Sequence, residues 1–203
     1  VLVVCIGVAT RLIECIQRMP KRYDATFQLG RQSPTEDTDG PVTELTDPPI
    51  PSLDAVRAAA SSLVGTILQR PPAFSAVKVD GRRAYDLARK GKPVEIASRP
   101  VTVHRIEIER YAYPQLDVTV ECGSGTYVRS LGRDLAESLG TMAVMSGLVR
   151  TAIGSFRLED AVSLEGLTPE VLRERLLPAV RAVEMIPQIR VTPDEAVAIR
   201  LGQ

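Results

Sequence analysis

Apolar and polar positions alternate with two different spacings along the chain, and the changes of spacing divide it into elements. Leu2 to Ile6 is a continuous apolar run closed by Gly7, which predicts a short buried strand. From Ala9 to Arg18, the apolar residues Leu12, Ile13 and Ile16 recur at helical spacing, and Pro20 stops the helix. Arg22 to Leu29 alternates, placing Tyr23, Ala25, Phe27 and Leu29 on one face of a strand. Gly30 to Gly40 is polar, contains Pro34, and reads as a loop. Ser52 suits an N-cap, and Leu53, Val56, Ala60, Leu63 and Val64 form the stripe of a helix that Gly65 ends.

Beyond Pro71-Pro72 the pattern predicts a strand from Phe74 to Val79, a turn at Asp80-Gly81 and a short helix from Ala84 to Arg89. Val101 to Ile108 and Gln115 to Glu121 both alternate, as two adjacent strands or a hairpin do. Gly123-Ser124-Gly125 is a turn. The helix after it carries Val128, Leu131, Leu135 and Leu139 on one stripe, with Gly140 as its end signal. Ala143 to Phe156 reads as one or two strands, and Leu172 to Val183 as a helix interrupted near Pro178. Thr192, Pro193, Asp194 and Glu195 are the opening of another helix, too short to fold alone. Strands and helices do not alternate strictly. The expected fold class is therefore α+β: a mixed, largely antiparallel sheet with packed helices.

Composition adds bounds. The 203 residues suffice for one sizeable core, with 44% apolar and 25% charged positions, as in ordinary globular chains. No apolar stretch has the length of a membrane span, and the opening VLVVCIG has no basic region before it. Cys5, Cys15 and Cys122 form no metal-ligand spacing and are expected to be reduced and mostly buried, as in a cytoplasmic protein. The formal net charge is zero, but its distribution is uneven. Ser33 to Ala60 carries a net −5, and Arg70 to Arg110 a net +5. Such asymmetry can give a neutral chain one face that attracts phosphates, and it equally suits two solvated surfaces of opposite sign.

Candidate chemistry is narrow. No Walker loop, GxGxxG or HExxH occurs, and the one histidine, His104, falls at a strand position that suits a surface or packing role. Catalysis must then use carboxylate, Arg, Tyr or Lys. The most specific stretch is GSGTYVRSLGRDLAESLG, Gly123 to Gly140. Tyr127 and Arg129 follow its glycine turn, and Arg129 lies off the leucine stripe. An arginine there offers a planar fork of donors to a carboxylate or phosphate, or is simply a surface residue beside a half-buried tyrosine. Lys78, Arg82, Arg83, Arg89, Lys90 and Lys92 surround Tyr85, and cations interleaved with a ring suit contact with an RNA backbone or a scaffold role.

GTYVRSLGRDLAESLG resembles a motif of the bacterial T-loop tRNA pseudouridine synthase family (TruB type). KRYDATFQLG, SPTEDTDG, PPAFSAVKVDGRRAYDLARKG, SRPVTVHRIEI and GLVRTAIGSF resemble further family segments, in family order. The likeness is close over residues 1 to 160 and looser beyond. It departs at Ser33-Pro34, where the family usually has Thr-Asp, and at Thr141-Met142-Ala143, where it often has Gly-Ala-His.

The resemblance implies the pseudouridine synthase fold and, as function, isomerisation of the T-loop uridine of tRNA without any cofactor or metal. The protein is expected to act as a cytoplasmic monomer, its partner being the tRNA T-stem loop and not a membrane. Tyr23 is implied to stack on the flipped base and take its proton, and Arg129 to pair with the nucleophilic aspartate. Tyr127 and Leu148 are implied to line the uracil pocket, while Lys78, Arg82 and Arg83 contact RNA. By pattern alone Tyr23 also fits strand packing, Tyr127 a helix-start contact and Leu148 a core position. The family's catalytic loop, GHTGxLDPxATG, does not occur in the chain, and SPTEDTDG matches a different family segment. Both ends read as cut, so the aspartate is expected upstream of Val1. Residues 1-188 are expected to form an N-terminally incomplete catalytic domain, and 189-203 the start of a PUA-like RNA-binding module. The chain by itself is expected to be inactive, and the alternative reading is a catalytically inactive RNA-binding scaffold.

Overall fold

A computed structural model describes residues 1–79, 81–88 and 96–202, with the main chain only at 78, 79, 82 and 88. Ten strands occur among the described residues: β1 (Lys21–Leu29), β2 (Arg31–Gln32), β3 (Thr43–Glu44), β4 (Gly65–Gln69), β5 (Lys78–Val79), β6 (Arg82–Arg83), β7 (Arg99–Ala112), β8 (Gln115–Cys122), β9 (Ala143–Ile153) and β10 (Phe156–Arg157). The helices are α1 (Ile13–Arg18), α2 (Leu53–Ser62), α3 (Ala84–Ala88), α4 (Val128–Ser138), α5 (Pro169–Arg175) and α6 (Pro193–Arg200). Six strands form one sheet in the order β10-β9-β1-β8-β7-β4, with every neighbouring pair antiparallel. β2 pairs with β3, and β5 with β6 across a turn in which Gly81 has φ +78. The α+β class expected from the pattern is the one found.

The main core lies where α2 and α4 cover one face of the sheet. Ala25 and Phe27 of β1 meet Leu116, Val118, Val120 and Cys122 of β8, with Val56 of α2 and Leu131 and Leu135 of α4 above them. One glycine sets how closely α4 approaches. A Cβ on Gly132 would stand 2.2 Å from the Phe27 ring, so only glycine permits this seat. Ser52 caps α2 as expected, its hydroxyl accepting from the Ala55 N–H at 3.2 Å.

Several elements differ from the pattern, each for a physical reason. Leu2 to Ile6 is not a strand. Val1, Val3 and Cys5 pack beside Ile16, Met19, Ile153 and Ala182, while Leu2 is 75% exposed. The ladder beside β9 is taken by β10 at Ala152 and Ile153, and the segment's hydrogen bonds to β9 run from Val1 to Arg150. The strand expected from Phe74 shortens to Lys78–Val79, and the helix over Leu172–Val183 divides into α5 and a 3-10 turn at Ala179–Val183. β4, which the pattern did not mark, is an edge strand with one wet side, so its buried positions show no clean alternation. β7 breaks its own alternation. His104 and Glu109 are extra residues opposite β8, so Val103, Ile106, Ile108 and Tyr111 all reach the core face. His104 is exposed. Cys122 is buried and the other two cysteines half-buried.

Candidate active site

A pocket of about 290 Å³ opens between β1, β9 and the start of α4. Tyr23, Tyr127, Arg129 and Leu148 line it, with Thr126, Val128 and Met145 completing the wall. Sheet register brings the distant members together. β1 and β9 run antiparallel with Tyr23 opposite Arg150 and Ala25 opposite Leu148, so Tyr23 and Leu148 stand as near neighbours on one face. The four residues singled out from the sequence thus surround one cavity.

Tyr127 is the N-cap residue of α4, but its side chain caps nothing. Gln69, at the end of β4, does that work. The Tyr127 N–H donates to Gln69 Oε1 at 2.9 Å, and Gln69 Nε2 donates back to the Tyr127 carbonyl at 3.1 Å. Gln69 is only 1% exposed, so this pairing settles both its polar ends away from water. Arg99 lies 5.4 Å from the Tyr127 ring centroid and donates to the Gly125 carbonyl at 2.8 Å, fixing the ring from the other side.

Arg129 and Arg133 stand one turn apart on α4 and each ties together the same three segments. Arg129 pairs through Nη1 with Asp37 and donates through Nη2 to the Phe74 carbonyl. Arg133 pairs through Nη1 with Glu36 and donates through Nη2 to the Arg70 carbonyl at 2.8 Å. Arg133 also donates to Asp134, and Ser130 Oγ donates to Glu36 at 2.5 Å. Burial alone would lower the pKa of the Arg133 guanidinium, but the Glu36 and Asp134 carboxylates outweigh it and hold the group above its ordinary value. The loop bearing both acids is docked on β9 as well. Met145 N–H donates to the Glu36 carbonyl at 3.0 Å and Thr38 N–H to the Met145 carbonyl at 3.1 Å. Glu36 adopts φ +64, an uncommon conformation for a residue with a side chain.

A second, larger cavity of about 600 Å³ adjoins the first, sharing Tyr127 and Arg129 and adding Asp39, Phe74, Ser75 and Tyr85. The Ser75 hydroxyl is buried there without a hydrogen-bond partner among the described residues. Of the residues expected to touch RNA, Arg83 is exposed, 6.0 Å from the Tyr85 ring. The side chains of Lys78 and Arg82, and all of Arg89, Lys90 and Lys92, lie outside the described residues. Among the described residues no cluster of His, Cys, Asp or Glu could hold a metal ion.

Sequence reasoning did not single out Gln69, Arg99, Glu36 or Arg133, and it set Asp37 aside. One signal was present: Arg129 and Arg133 repeat at helical spacing off the leucine stripe, which marks a second, polar edge of α4. Gln69 gave none, because its role depends on a strand that the pattern does not show.

The sheet and its two covering helices, with a tyrosine-lined pocket beside Arg129, form an α+β fold of the pseudouridine synthase class. Solved structures share this fold. The structure described as a Cbf5-Nop10-Gar1 complex matches with a TM-score of 0.69 and 24% identity, over 96% of this chain and 52% of that one. An H/ACA ribonucleoprotein bound to a substrate RNA containing 2'-deoxyuridine matches at 0.66 and 21%, over 96% and 51%. The chain thus spans about half the length of these solved proteins. Residues 1–128 match the family described as TruB family pseudouridylate synthase (N terminal domain). A tRNA pseudouridine synthase B of Arthrobacter sp. (strain FB24) is 41% identical over 209 residues, covering all of this chain and 68% of the relative. One of Phocaeicola vulgatus is 41% identical over 175 residues, covering 86% of this chain and 74% of its own. The chain belongs to the TruB family of pseudouridylate synthases.

Proposed function

We propose that the complete protein isomerises the T-loop uridine of tRNA to pseudouridine, and that the pocket at the start of α4 receives the flipped base. The observation that supports this most is the convergence of Tyr23, Tyr127, Arg129 and Leu148 on one open cavity. A base taken out of its stack needs a ring to lie on, an apolar wall and fixed polar groups at its edge. Tyr23 supplies the ring and accepts the proton lost from the carbon that rejoins the sugar. Leu148 and Met145 supply the wall. Arg129 offers its fork to the nucleophilic carboxylate, which the family resemblance assigns to a GHTGxLDP loop upstream of Val1. Asp37 occupies one arm of that fork, Nη1, and the Phe74 carbonyl the other.

RNA reaches the pocket along the basic stretch that includes Lys78, Arg82 and Arg83, where phosphate contacts supply affinity. Residues 189-203 open a separate RNA-binding module. The support is that α6 is well capped by Thr192 and Glu195, yet no residue of it is buried against the core. Among the described residues no helix is long and apolar enough to cross a membrane.

The test is pseudouridine formation on a T-loop stem RNA by this chain and by the protein extended upstream of Val1. Turnover is expected only from the extended protein, and RNA binding from both. Turnover by the 203-residue chain would move the nucleophile into it, with Asp37 the first candidate. Binding without turnover by the extended protein would leave an RNA-binding scaffold.

A further inference from the structure

The two arginines of α4 differ in what surrounds them, although each joins a carboxylate of the loop Ser33–Asp39 to a carbonyl of the segment Arg70–Phe74. The Arg133 side chain is 7% exposed, it meets Glu36 and Asp134, and Ser130 saturates the second oxygen of Glu36. The Arg129 side chain is 20% exposed, has one carboxylate partner among the described residues and faces both cavities. Pulling Arg133 away from Glu36 would strand a buried charge, whereas Arg129 can turn toward a new anion while the pocket wets the carboxylate it leaves.

We propose that Glu36 and Arg133 are positioning residues: their buried pair anchors the acid loop to α4 independently of Arg129, so that Arg129 can exchange carboxylate partners without the pocket wall moving. The proposal rests on the reading that Arg129 serves a nucleophilic carboxylate during turnover. Asp37 sits next to Glu36 in the chain, so an anchored Glu36 keeps Asp37 within reach of Arg129 for the return step. The hydrogen bonds of Met145 with Glu36 and Thr38 report directly on whether the loop is seated.

Amide hydrogen exchange at Thr38 and Met145, measured on this chain, tests the anchor without needing activity. Glu36→Gln keeps the shape of the side chain and removes its charge. It is expected to speed exchange at those two amides about tenfold, the loss of one charged hydrogen-bonded contact, while α4 amides stay protected. Arg129→Lys is expected to leave Thr38 and Met145 within about threefold of wild type. Removing both charges together, Glu36→Gln with Arg133→Met, avoids an orphaned buried ion and should still loosen the loop. Unchanged exchange in the charge-free pair, or equal loosening by Arg129→Lys, overturns the proposal.

In the extended protein, Glu36→Gln is expected to lower the single-turnover rate about tenfold with RNA affinity within about threefold, a split that simple destabilisation does not produce. A fall in affinity with an unchanged rate overturns it too. If the wild-type extended protein forms no pseudouridine, the functional reading fails while the exchange experiment still decides the anchor.

Discussion

Helices α4 and α6 are held in opposite ways. α6 has every local device: Thr192 and Glu195 form a capping box, Pro193 opens the first turn, Asp194 and Glu195 face the positive end of the helix dipole, and Arg200 closes the last turn. None of its residues is buried. α4 has no side-chain cap of its own and no acid in its first turn, yet most of it is buried. Its start is fixed by Gln69 on another strand, its seat by the missing Cβ of Gly132, and its polar edge by Arg129 and Arg133. Local signals decide where a helix begins. Tertiary partners decide what it can position, and the pocket is built on the helix that has them.

The sharpest break in the comparison is at Arg129. Arg129→Lys keeps the charge and loses the fork, so in the extended protein the single-turnover rate is expected to fall on the order of a hundredfold. RNA affinity should change far less, because most of it comes from phosphate contacts elsewhere. Both are measured on one T-loop stem, and a normal rate with weak binding would make Arg129 a phosphate contact instead.

Gly132→Ala tests the seat of α4. The added methyl meets the buried Phe27 ring, and unfolding in urea is expected to show a loss of about 1–3 kcal/mol despite alanine's better helix propensity. A gain in stability would mean that Phe27 yields and that α4 is not tightly seated. Gln69→Leu tests the remote cap. It leaves the Tyr127 N–H without its partner while the carbonyl keeps the Leu131 N–H, and a loss of about 1–2 kcal/mol is expected in the same measurement.

The smallest effect belongs to α6. Bonds from the Thr192 main chain and hydroxyl hold the Glu195 carboxyl below its ordinary value. A depressed folded-state pKa stabilises the helix fully above the ordinary glutamate pKa, and that contribution fades as pH falls through the lowered value. Acid should therefore fray α6 while α4 stays protected, as read by amide exchange along both helices. Fraying of both together would mean that α6 is coupled to the core.

Legibility followed the same division. β1, α2, α4 and the β7–β8 pair were readable because their stripes repeat over many residues. Tyr23, Tyr127, Arg129 and Leu148 were named through separate family motifs, and the fold brings those motifs to one place. β4 was missed because an edge strand need not alternate, and Gln69 was lost with it. The bulges at His104 and Glu109 were invisible because an inserted residue changes no composition, only which face the next residue takes. Glu36 and Asp37 read as loop acids, since nothing in a polar run says which carboxylate will meet an arginine on a helix far along the chain.

That distance has a consequence for how the molecule assembles. The ion pairs of Asp37 and Glu36 with α4 span 92 and 97 residues of chain. On a ribosome the acid loop emerges long before the helix that neutralises it, and closing so wide a loop is entropically costly until the sheet has drawn its ends together. β1 and β8, paired from Lys21 with Cys122 to Gln28 with Gln115, close a loop of the same breadth, so the sheet and the pocket share one closure cost. The nascent chain carries a pair of adjacent, uncompensated carboxylates until α4 arrives to seal them.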